Sequence, residues 1–372
     1  MLARDARRRR RFLLRRLTSA ELAVIAMFLT IGALHVVGWI TLLAFVVPQH
    51  LSIGTKAFGL GIGVTAYALG MRHAFDADHI AAIDNTTRKL MQEGQRPLSA
   101  GFWFSLGHSS VVLALTLLLA GGARALTKPL LDEHSALHHI ANLGGTIVSG
   151  GFLYLIALIN LFILFDIAKV FRSMRSGRFD EAALEAQLER RGMMSRVLRP
   201  VMRLVAHPGH MYFVGLLFGL GFDTVTEIAV LILTGSGVAS GLPWYAVLCL
   251  PVLFAAGMSL MDSIDGSLMY FIYGWALSKP VRKAHYNLVI TGLSIVIAFV
   301  VGTIEILNLI SAKLTFRGAF WAWVCGLDLG GLGMAIVAIF IATWALALVI
   351  WKYGRTETRW TPAPLEGSVE ND

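Results

Sequence analysis

The stretch RHAFDADHI at residues 72–80 is where the sequence offers the clearest chemistry. Two imidazoles and two carboxylates fall within seven positions, at His73, Asp76, Asp78 and His79. Imidazole nitrogens with carboxylate oxygens suit Ni²⁺, Co²⁺, Zn²⁺, Fe²⁺ or Mn²⁺. An all-oxygen site for Mg²⁺ or Ca²⁺ would not need histidines, and a Cu(I) path would use Cys and Met. A relay for protons alone would use fewer groups, so the cluster predicts a site for a borderline divalent metal ion.

The geometry of a regular helix limits how these groups can share one ion. Successive residues advance by about 100°, so His73, Asp76 and His79 lie on one face. Asp78 then falls on the other side. Either the helix is kinked or broken here, as the preceding glycines favour, or one carboxylate orients a histidine ring instead of binding the ion. A further alternative is that Arg72 pairs with Asp76, four residues on.

Further polar side chains interrupt apolar stretches later in the chain. A charge at the centre of a bilayer costs roughly 2.5–3.5 kcal/mol on insertion scales, and such residues usually mark ion or substrate paths. One residue of this kind could simply join neighbouring helices, whereas a set of them favours a shared site. The additional candidate metal-binding residues are His108, Asp223, Glu227, Met258, Asp262 and Asp265.

The composition places these groups in a membrane protein. Of 372 residues, 56% are apolar and 15% are charged, against about 25% charged in a typical soluble domain. This excludes a soluble enzyme, a disordered chain and a collagen-like chain, and an outer-membrane barrel would show short alternating segments. The net charge of +9 is assigned to membrane topology and not to nucleic acid. Cys249 and Cys325 indicate neither a disulfide framework nor a thiolate metal site.

The apolar segments predict an all-α, polytopic membrane protein with about eight transmembrane helices, since about 20 residues cross a bilayer. The segments are 21–47, 58–83, 99–121, 144–169, 208–235, 244–277, 286–311 and 327–352. Alternate loops and tails hold 26 Lys and Arg on one side against 5 on the other, which predicts that both termini are cytoplasmic. The predicted organisation is a basic tail (1–20), a transmembrane domain (21–352) with a cytoplasmic loop (170–203), and a C-terminal tail (353–372).

A weak internal sequence similarity favours three-helix repeats. AFDADHIA at 74–81 resembles GFDTVTEIA at 221–229, and FSLGHS at 104–109 resembles FAAGMS at 254–259. With the predicted topology the members of each pair run in opposite directions, as in the inverted repeats of many secondary transporters. Chance similarity between short stretches is the alternative.

At RHAFDADHI the sequence resembles the nickel/cobalt transporter (NiCoT) family, whose mark is His-x4-Asp-His in the second span. His73, Asp78 and His79 match that mark. Three further family-like stretches follow in order: FSLGHSSVV (104–112), GLGFDTVTEIA (219–229) and LFAAGMSLMDSIDG (253–266). The resemblance covers the whole chain apart from the two tails and the cytoplasmic loop.

The resemblance implies a single-polypeptide permease, and not an enzyme, that carries Ni²⁺ and/or Co²⁺ into the cytoplasm through the inner membrane of a bacterium. It implies that His73, Asp78 and His79 form the core of the metal site, with the other candidates around them. The implied partners are the metal ion, which is the substrate, and the lipid bilayer; no resident cofactor and no nucleic acid are expected. No ATPase subunit is expected, and no G-x4-G-K-[ST] motif occurs in the chain. Neither oligomeric state nor a preference between the two metals is predicted.

Three other functions are weighed from the sequence, and the density of buried charge disfavours one of them, a membrane scaffold. A related group of metal exporters carries a much longer His-rich loop, whereas this chain has only His134, His138 and His139 there, which favours uptake. An intramembrane metalloenzyme could use the same ligands, but the H-E-x-x-H motif of the best-known hydrolases is missing.

Overall fold

The structure, a computed structural model, describes residues 19–121, 135–175, 205–220, 225–276, 280–314, 318–327 and 329–353. The predicted tails lie outside these residues except for Ser19, Ala20 and Tyr353, and so does the predicted loop after residue 175. His134 and Asp223 are also outside the described residues, and the side chains of His138 and His139 are not described.

The described chain is helical almost throughout, which confirms the predicted all-α class. The helices are α1 (Ser19–Ile40), α2 (Leu60–His73), α3 (Ala77–Gln92), α4 (Ala100–Ala120), α5 (Ala136–Arg175), α6 (Met211–Phe218), α7 (Val225–Ala239), α8 (Trp244–Ala276), α9 (Pro280–Leu314), α10 (Ala319–Cys325) and α11 (Leu329–Tyr353). A π-helical turn and a 3-10 turn extend α1 to Gln49, and Ser52–Ile53 pairs antiparallel with Lys56–Ala57.

Five helical stretches of the described chain are long and apolar enough to cross a membrane. They are Glu21–Gln49, Ala100–Ala120, Leu143–Phe162, Trp244–Gly274 and Thr291–Ser311. They coincide with the first, third, fourth, sixth and seventh predicted segments. Shorter apolar helices occupy Ala229–Ala239 and Gly331–Leu346. The protein is therefore a multi-pass membrane protein, while the total of eight spans stays a prediction.

The second predicted segment is not one helix. α2 ends at His73 and α3 begins at Ala77, so the interruption falls inside RHAFDADHI at residues 72–80, which we call the metal motif. The Ala74 N–H still donates to the Gly70 carbonyl at 3.3 Å, and the Ile80 N–H donates to the Asp76 carbonyl at 3.2 Å. The helix distortion expected at this motif is confirmed, and the face assignments for a regular helix no longer apply. In the fifth predicted segment, α6 ends at Phe218, a turn follows at 219–220, and the described part of α7 begins at Val225.

Helix α3 also continues further than predicted. Residue 83 was the expected end of the span, but the helix runs to Gln92. Arg88 and Lys89, counted in the loop after this span, lie in α3 instead and are each 1% exposed.

The chain forms two compact units, and each is described by itself. The first falls within Met1–Ala74, Leu90–Val148 and Val205–Ser267. The second falls within Phe75–Lys89, Ser149–Leu204 and Leu268–Asp372.

In the first unit, α2 and α8 pack backbone against backbone. A Cβ added at Gly70 would collide with the Phe254 carbonyl, and one added at Gly257 would lie 2.5 Å from the Tyr67 carbonyl oxygen. Only glycine permits such an approach, because any larger residue would force the helices apart.

Helices α4 and α6 of the first unit repeat this arrangement. A Cβ at Gly215 would collide with the Phe104 carbonyl, and a Cβ at Gly107 would collide with the Tyr212 carbonyl. In both helix pairs an aromatic residue and a glycine three positions later on one helix meet the same two residue types on the other. The two contacts are thus built to one pattern.

In the second unit, polar contacts join α5 to α9. Ser149 donates its hydroxyl to Glu305 Oε2 at 2.7 Å, and the hydroxyls of Tyr154 and Thr303 are 2.6 Å apart. Glu305 is buried in the middle of an apolar span, where an acid needs hydrogen-bond donors to be tolerated.

Candidate metal site

Two histidines from separate helices meet in the first unit. His73 is the last residue of α2, and His108 lies in the middle of α4. Their Nε2 atoms are 2.8 Å apart, and the residues are 1% and 2% exposed. The close glycine contacts described above fix the positions of these helices, so the two rings are held by rigid elements.

Glu227 brings a carboxylate to the same point. It lies in the first turn of α7 and is fully buried. Its Oε1 is 2.6 Å from His108 Nε2 and 3.9 Å from His73 Nε2. Ligands bound to one first-row ion at about 2.0–2.2 Å lie roughly 3–3.5 Å from one another. The three atoms therefore have the spacing of a metal coordination sphere to within small side-chain adjustments.

The three atoms carry more lone pairs than hydrogens. A neutral imidazole has one N–H, so a hydrogen on His108 Nε2 can serve Glu227 or His73 but not both well. The remaining close approach then sets lone pairs against each other. A divalent cation at this position would accept a lone pair from each atom, and the carboxylate would offset part of its charge.

Thr226 orients the first histidine. Its Oγ1 lies 3.0 Å from His73 Nδ1, and the residue is buried. When Nε2 of a histidine binds a metal, the ring hydrogen sits on Nδ1, and a hydrogen-bond acceptor there fixes the orientation of the ring. The hydroxyl of Thr226 can fill that role.

The surroundings of the two rings are apolar. The Phe254 ring centroid lies 5.6 Å from that of His73. Met258 is fully buried in one hydrophobic cluster with Phe254, Ala74 and Val112. Charge interactions strengthen in such surroundings because little solvent screens them.

The rest of the motif lies in the second unit. Asp76 precedes α3, and Asp78 and His79 occupy its first turn; all three are buried. Asp78 Oδ1 has no hydrogen-bond partner among the described residues. A buried carboxylate oxygen in this state is a lone-pair donor available for a cation.

Two further candidate acids lie on α8. Asp262 is fully buried, and Asp265 is buried one turn later. The Asp262 carbonyl is so close to Gly101 of α4 that a Cβ there would collide with it.

Of the predicted residues, the structure brings His73, His108 and Glu227 together. Thr226 had not been predicted, although its hydroxyl directly precedes a buried acid in the sequence. Arg72, offered as a partner for Asp76, has an exposed side chain.

The sequence matches the family NicO, described as high-affinity nickel-transport protein, over residues 59–350. The chain belongs to the NicO family. The match includes every predicted site residue, and the family and the relatives reported below are named as transporters, not enzymes.

Curated relatives of this NicO member cover nearly its full length. It is 56% identical over 351 residues to the nickel transporter NicT of Mycobacterium tuberculosis, which covers 94% of each chain. It is 43% identical over 331 residues to the nickel transporter NixA of Staphylococcus aureus, covering 88% of this chain and 94% of the relative. It is 42% identical over 291 residues to the cobalt transport protein NhlF of Rhodococcus rhodochrous, covering 78% and 82%. No solved structure matches the chain.

Proposed function

We propose that this protein is a secondary permease that takes up Ni²⁺, and also Co²⁺, into the cytoplasm. The observation that carries the proposal is the meeting of His73 Nε2, His108 Nε2 and Glu227 Oε1 within 3.9 Å in a buried, apolar part of the first unit. Nitrogen-rich sites with one carboxylate suit late first-row dications better than Mg²⁺ or Ca²⁺. Relatives named for nickel and for cobalt support both substrates.

The remaining ligands in the proposal come from the metal motif. Asp78 and His79 are proposed to bind the ion, with Asp76 balancing its charge. The support for these three residues is their place in the His-x4-Asp-His pattern. The acids of α8 and α7, with Met258, are proposed to relay the ion along its path. That set comprises Glu227, Asp262 and Asp265, together with Asp223 of the fifth predicted segment.

The proposed architecture is eight spans with both termini in the cytoplasm of a bacterium and the chain in its inner membrane. The excess of Lys and Arg in alternate loops supports this orientation. We also propose that α2–α4 and α6–α8 are inverted three-helix repeats. The matching glycine contacts of α2 with α8 and of α6 with α4 support it, and so do the helix interruptions after His73 and Phe218. Interrupted helices at the binding site are typical of transporters built from such repeats.

The membrane potential can drive uptake. An inside-negative potential of 100 mV favours entry of a dication by about 4.6 kcal/mol. Because a dehydrated dication is costly in a membrane, the buried histidines and acids replace its water ligands during passage.

The test is nickel and cobalt accumulation in cells that express His73→Ala or His108→Ala. Both variants are expected to lose uptake while they reach the membrane in normal amounts. The control is His207→Asn, which removes an exposed imidazole while its amide oxygen can still accept the Gly209 N–H that His207 Nδ1 accepts at 3.1 Å.

Two results would contradict the proposal. Undiminished uptake by a properly inserted His73→Ala variant would reject the site. Lower cell metal with resistance to nickel on expression of the unchanged protein would instead identify an exporter. Labelled cobalt uptake in competition with nickel, zinc and manganese tests the proposed pair of substrates.

A further inference from the structure

A second set of buried polar side chains lies in the second unit and has no role in the metal site. After the metal motif, α3 continues with six consecutive polar residues, 84–89, and each is at most 1% exposed. They include an acid, Asp84, and two bases. Complete burial of such a run is costly unless the groups pair or serve a purpose.

Asp84 is held by residues of two other helices. Tyr273 of α8 donates its hydroxyl to Asp84 Oδ1, and Ser294 of α9 hydrogen-bonds the same carboxylate. Arg88, one turn further along α3, supplies the facing positive charge. Among the described residues, Arg88 and Tyr273 are the charged and titratable groups that act on Asp84.

The hydrogen bonds of this pair are incomplete. Arg88 Nη2 donates to Asn85 Oδ1 at 2.8 Å, and Asn160 of α5 donates to the same oxygen at 2.8 Å. Arg88 Nε and Nη1, and Asp84 Oδ2, have no hydrogen-bond partner among the described residues. Asp84 and Arg88 therefore carry opposite charges about one turn apart on α3 without bonding each other directly, and one carboxylate oxygen is left over.

That oxygen can accept a proton without disturbing the rest of the pair. An O–H bond formed at Asp84 Oδ2 leaves the Tyr273 and Ser294 hydrogen bonds to the carboxyl group possible. It removes the negative charge, so the pair changes from neutral to the single positive charge of Arg88. A buried group whose net charge changes in this way responds to the membrane potential and favours a different conformation.

Asp84 is also mechanically linked to the metal motif. It follows His79 by five residues on the same helix, which is about 7.5 Å along the axis. A shift of α3 in response to the charge of the pair therefore moves the end of the helix that carries His79.

We propose that Asp84 is a proton-binding site that couples metal uptake to the proton gradient. Asp84 takes a proton on Oδ2 from the outer side and releases it to the cytoplasm as the metal ion crosses, so one proton and one ion move inward together. This inference rests on the proposed uptake function.

The experiment uses the full-length protein in liposomes that contain a fluorescent nickel reporter. Potassium and valinomycin hold the membrane potential at zero, and the outer solution stays near neutral pH so that outward-facing histidines keep one protonation state. A lumen one pH unit more alkaline is expected to raise the nickel plateau up to about tenfold, the equilibrium limit for one coupled proton. Asp84→Asn is expected to show no such increase, while it still takes up nickel when an inside-negative potential is imposed.

The matched control is Glu93→Gln, which removes a partly exposed carboxylate just after α3 and should keep the response to the pH gradient. Because Asp84→Asn leaves Arg88 without its counter-charge, a second measurement uses the unchanged protein. Nickel added outside at zero potential should acidify a lumen loaded with a pH-sensitive dye, by one proton per ion.

Three results would overturn the inference: no lumen acidification, no response of the unchanged protein to the pH gradient, or an Asp84→Asn variant that responds like the unchanged protein. Failure of the unchanged protein to carry nickel under an imposed potential would count against the proposed function itself. The two failures are thus distinguishable.

Discussion

The histidine site of the first unit and the Asp84–Arg88 pair of the second are both buried and polar, yet they differ in their hydrogens. At His73, His108 and Glu227, lone pairs crowd one point and hydrogens are scarce. At Asp84 and Arg88, the protein supplies its own cation, and the guanidinium has donors to spare. Burial of polar groups therefore does not by itself indicate a metal site. A buried polar site with more lone pairs than hydrogens suits a metal ion. A site with spare N–H donors already holds a positive charge of its own.

The largest effect is expected from Arg88→Met in the second unit, which would leave the charge of Asp84 without its counter-charge. Removing a buried charge leaves the opposite charge nearby uncompensated, which costs up to about 3–5 kcal/mol where the two are in direct contact, so we expect a loss of stability that approaches that range. Thermal unfolding of the purified protein in detergent measures it. The double variant Arg88→Met with Asp84→Leu should recover much of the loss. A double variant no more stable than the single one would show that the pair is not what stabilises α3.

The next effect concerns the first site. His108→Ala should weaken nickel binding at least about 100-fold, because first-sphere ligands matter more than the outer partners that change affinity 10–100-fold. Some loss of stability is also expected, because His108 is the 2.6 Å partner of the buried Glu227 carboxylate. Titration calorimetry and a melting curve on one preparation measure both quantities. Tight nickel binding by the folded variant would contradict the assignment.

A smaller loss is expected at Thr226. Thr226→Val removes the oxygen 3.0 Å from His73 Nδ1 and should reduce nickel affinity about 10-fold, within the range for outer partners. Thr226→Ser keeps the hydroxyl and should bind nickel like the unchanged protein. Equal affinities for the two variants would mean that the threonine only fills space.

The smallest effect is expected from Asn160→Ala in the second unit. The variant removes one of two donors to Asn85 Oδ1, which should cost about 1–2 kcal/mol of stability. Nickel affinity should not change, because neither Asn160 nor Asn85 is among the proposed metal ligands. A fall in nickel affinity as large as that of Thr226→Val would contradict the statement that residues 84–89 have no part in the metal site.

The sequence allowed the metal motif and most of the first site to be predicted. The residue types at His73, His108 and Glu227 pointed to a dication, and the expected distortion lies within the motif. Their convergence could not be derived from local pattern, since Glu227 is 119 positions from its partner His108. Thr226 was not predicted as a site residue because a hydroxyl beside an acid is common, and only the fold aims it at His73 Nδ1.

The second site could not be predicted for a different reason. Hydropathy treats Arg88 and Lys89 as surface residues, so the helix was expected to end before them. The polar residues around them are held by partners far along the chain: Asn160 is 75 positions from Asn85, and Tyr273 is 189 positions from Asp84. Neither the spacing of apolar residues nor a local motif can predict contacts between residues so far apart.

Helix α2 ends at His73, and this position has an electrostatic consequence. Most of the last carbonyl groups of a helix lack amides of a further turn to bond, and together they resemble about half a negative charge at that end. The peptide dipoles of α2 thus favour a cation beside His73 whatever the side chain there is. An alanine at position 73 would therefore be expected to leave a weak attraction for dications with little preference among them, which means that the imidazole contributes selectivity as well as strength.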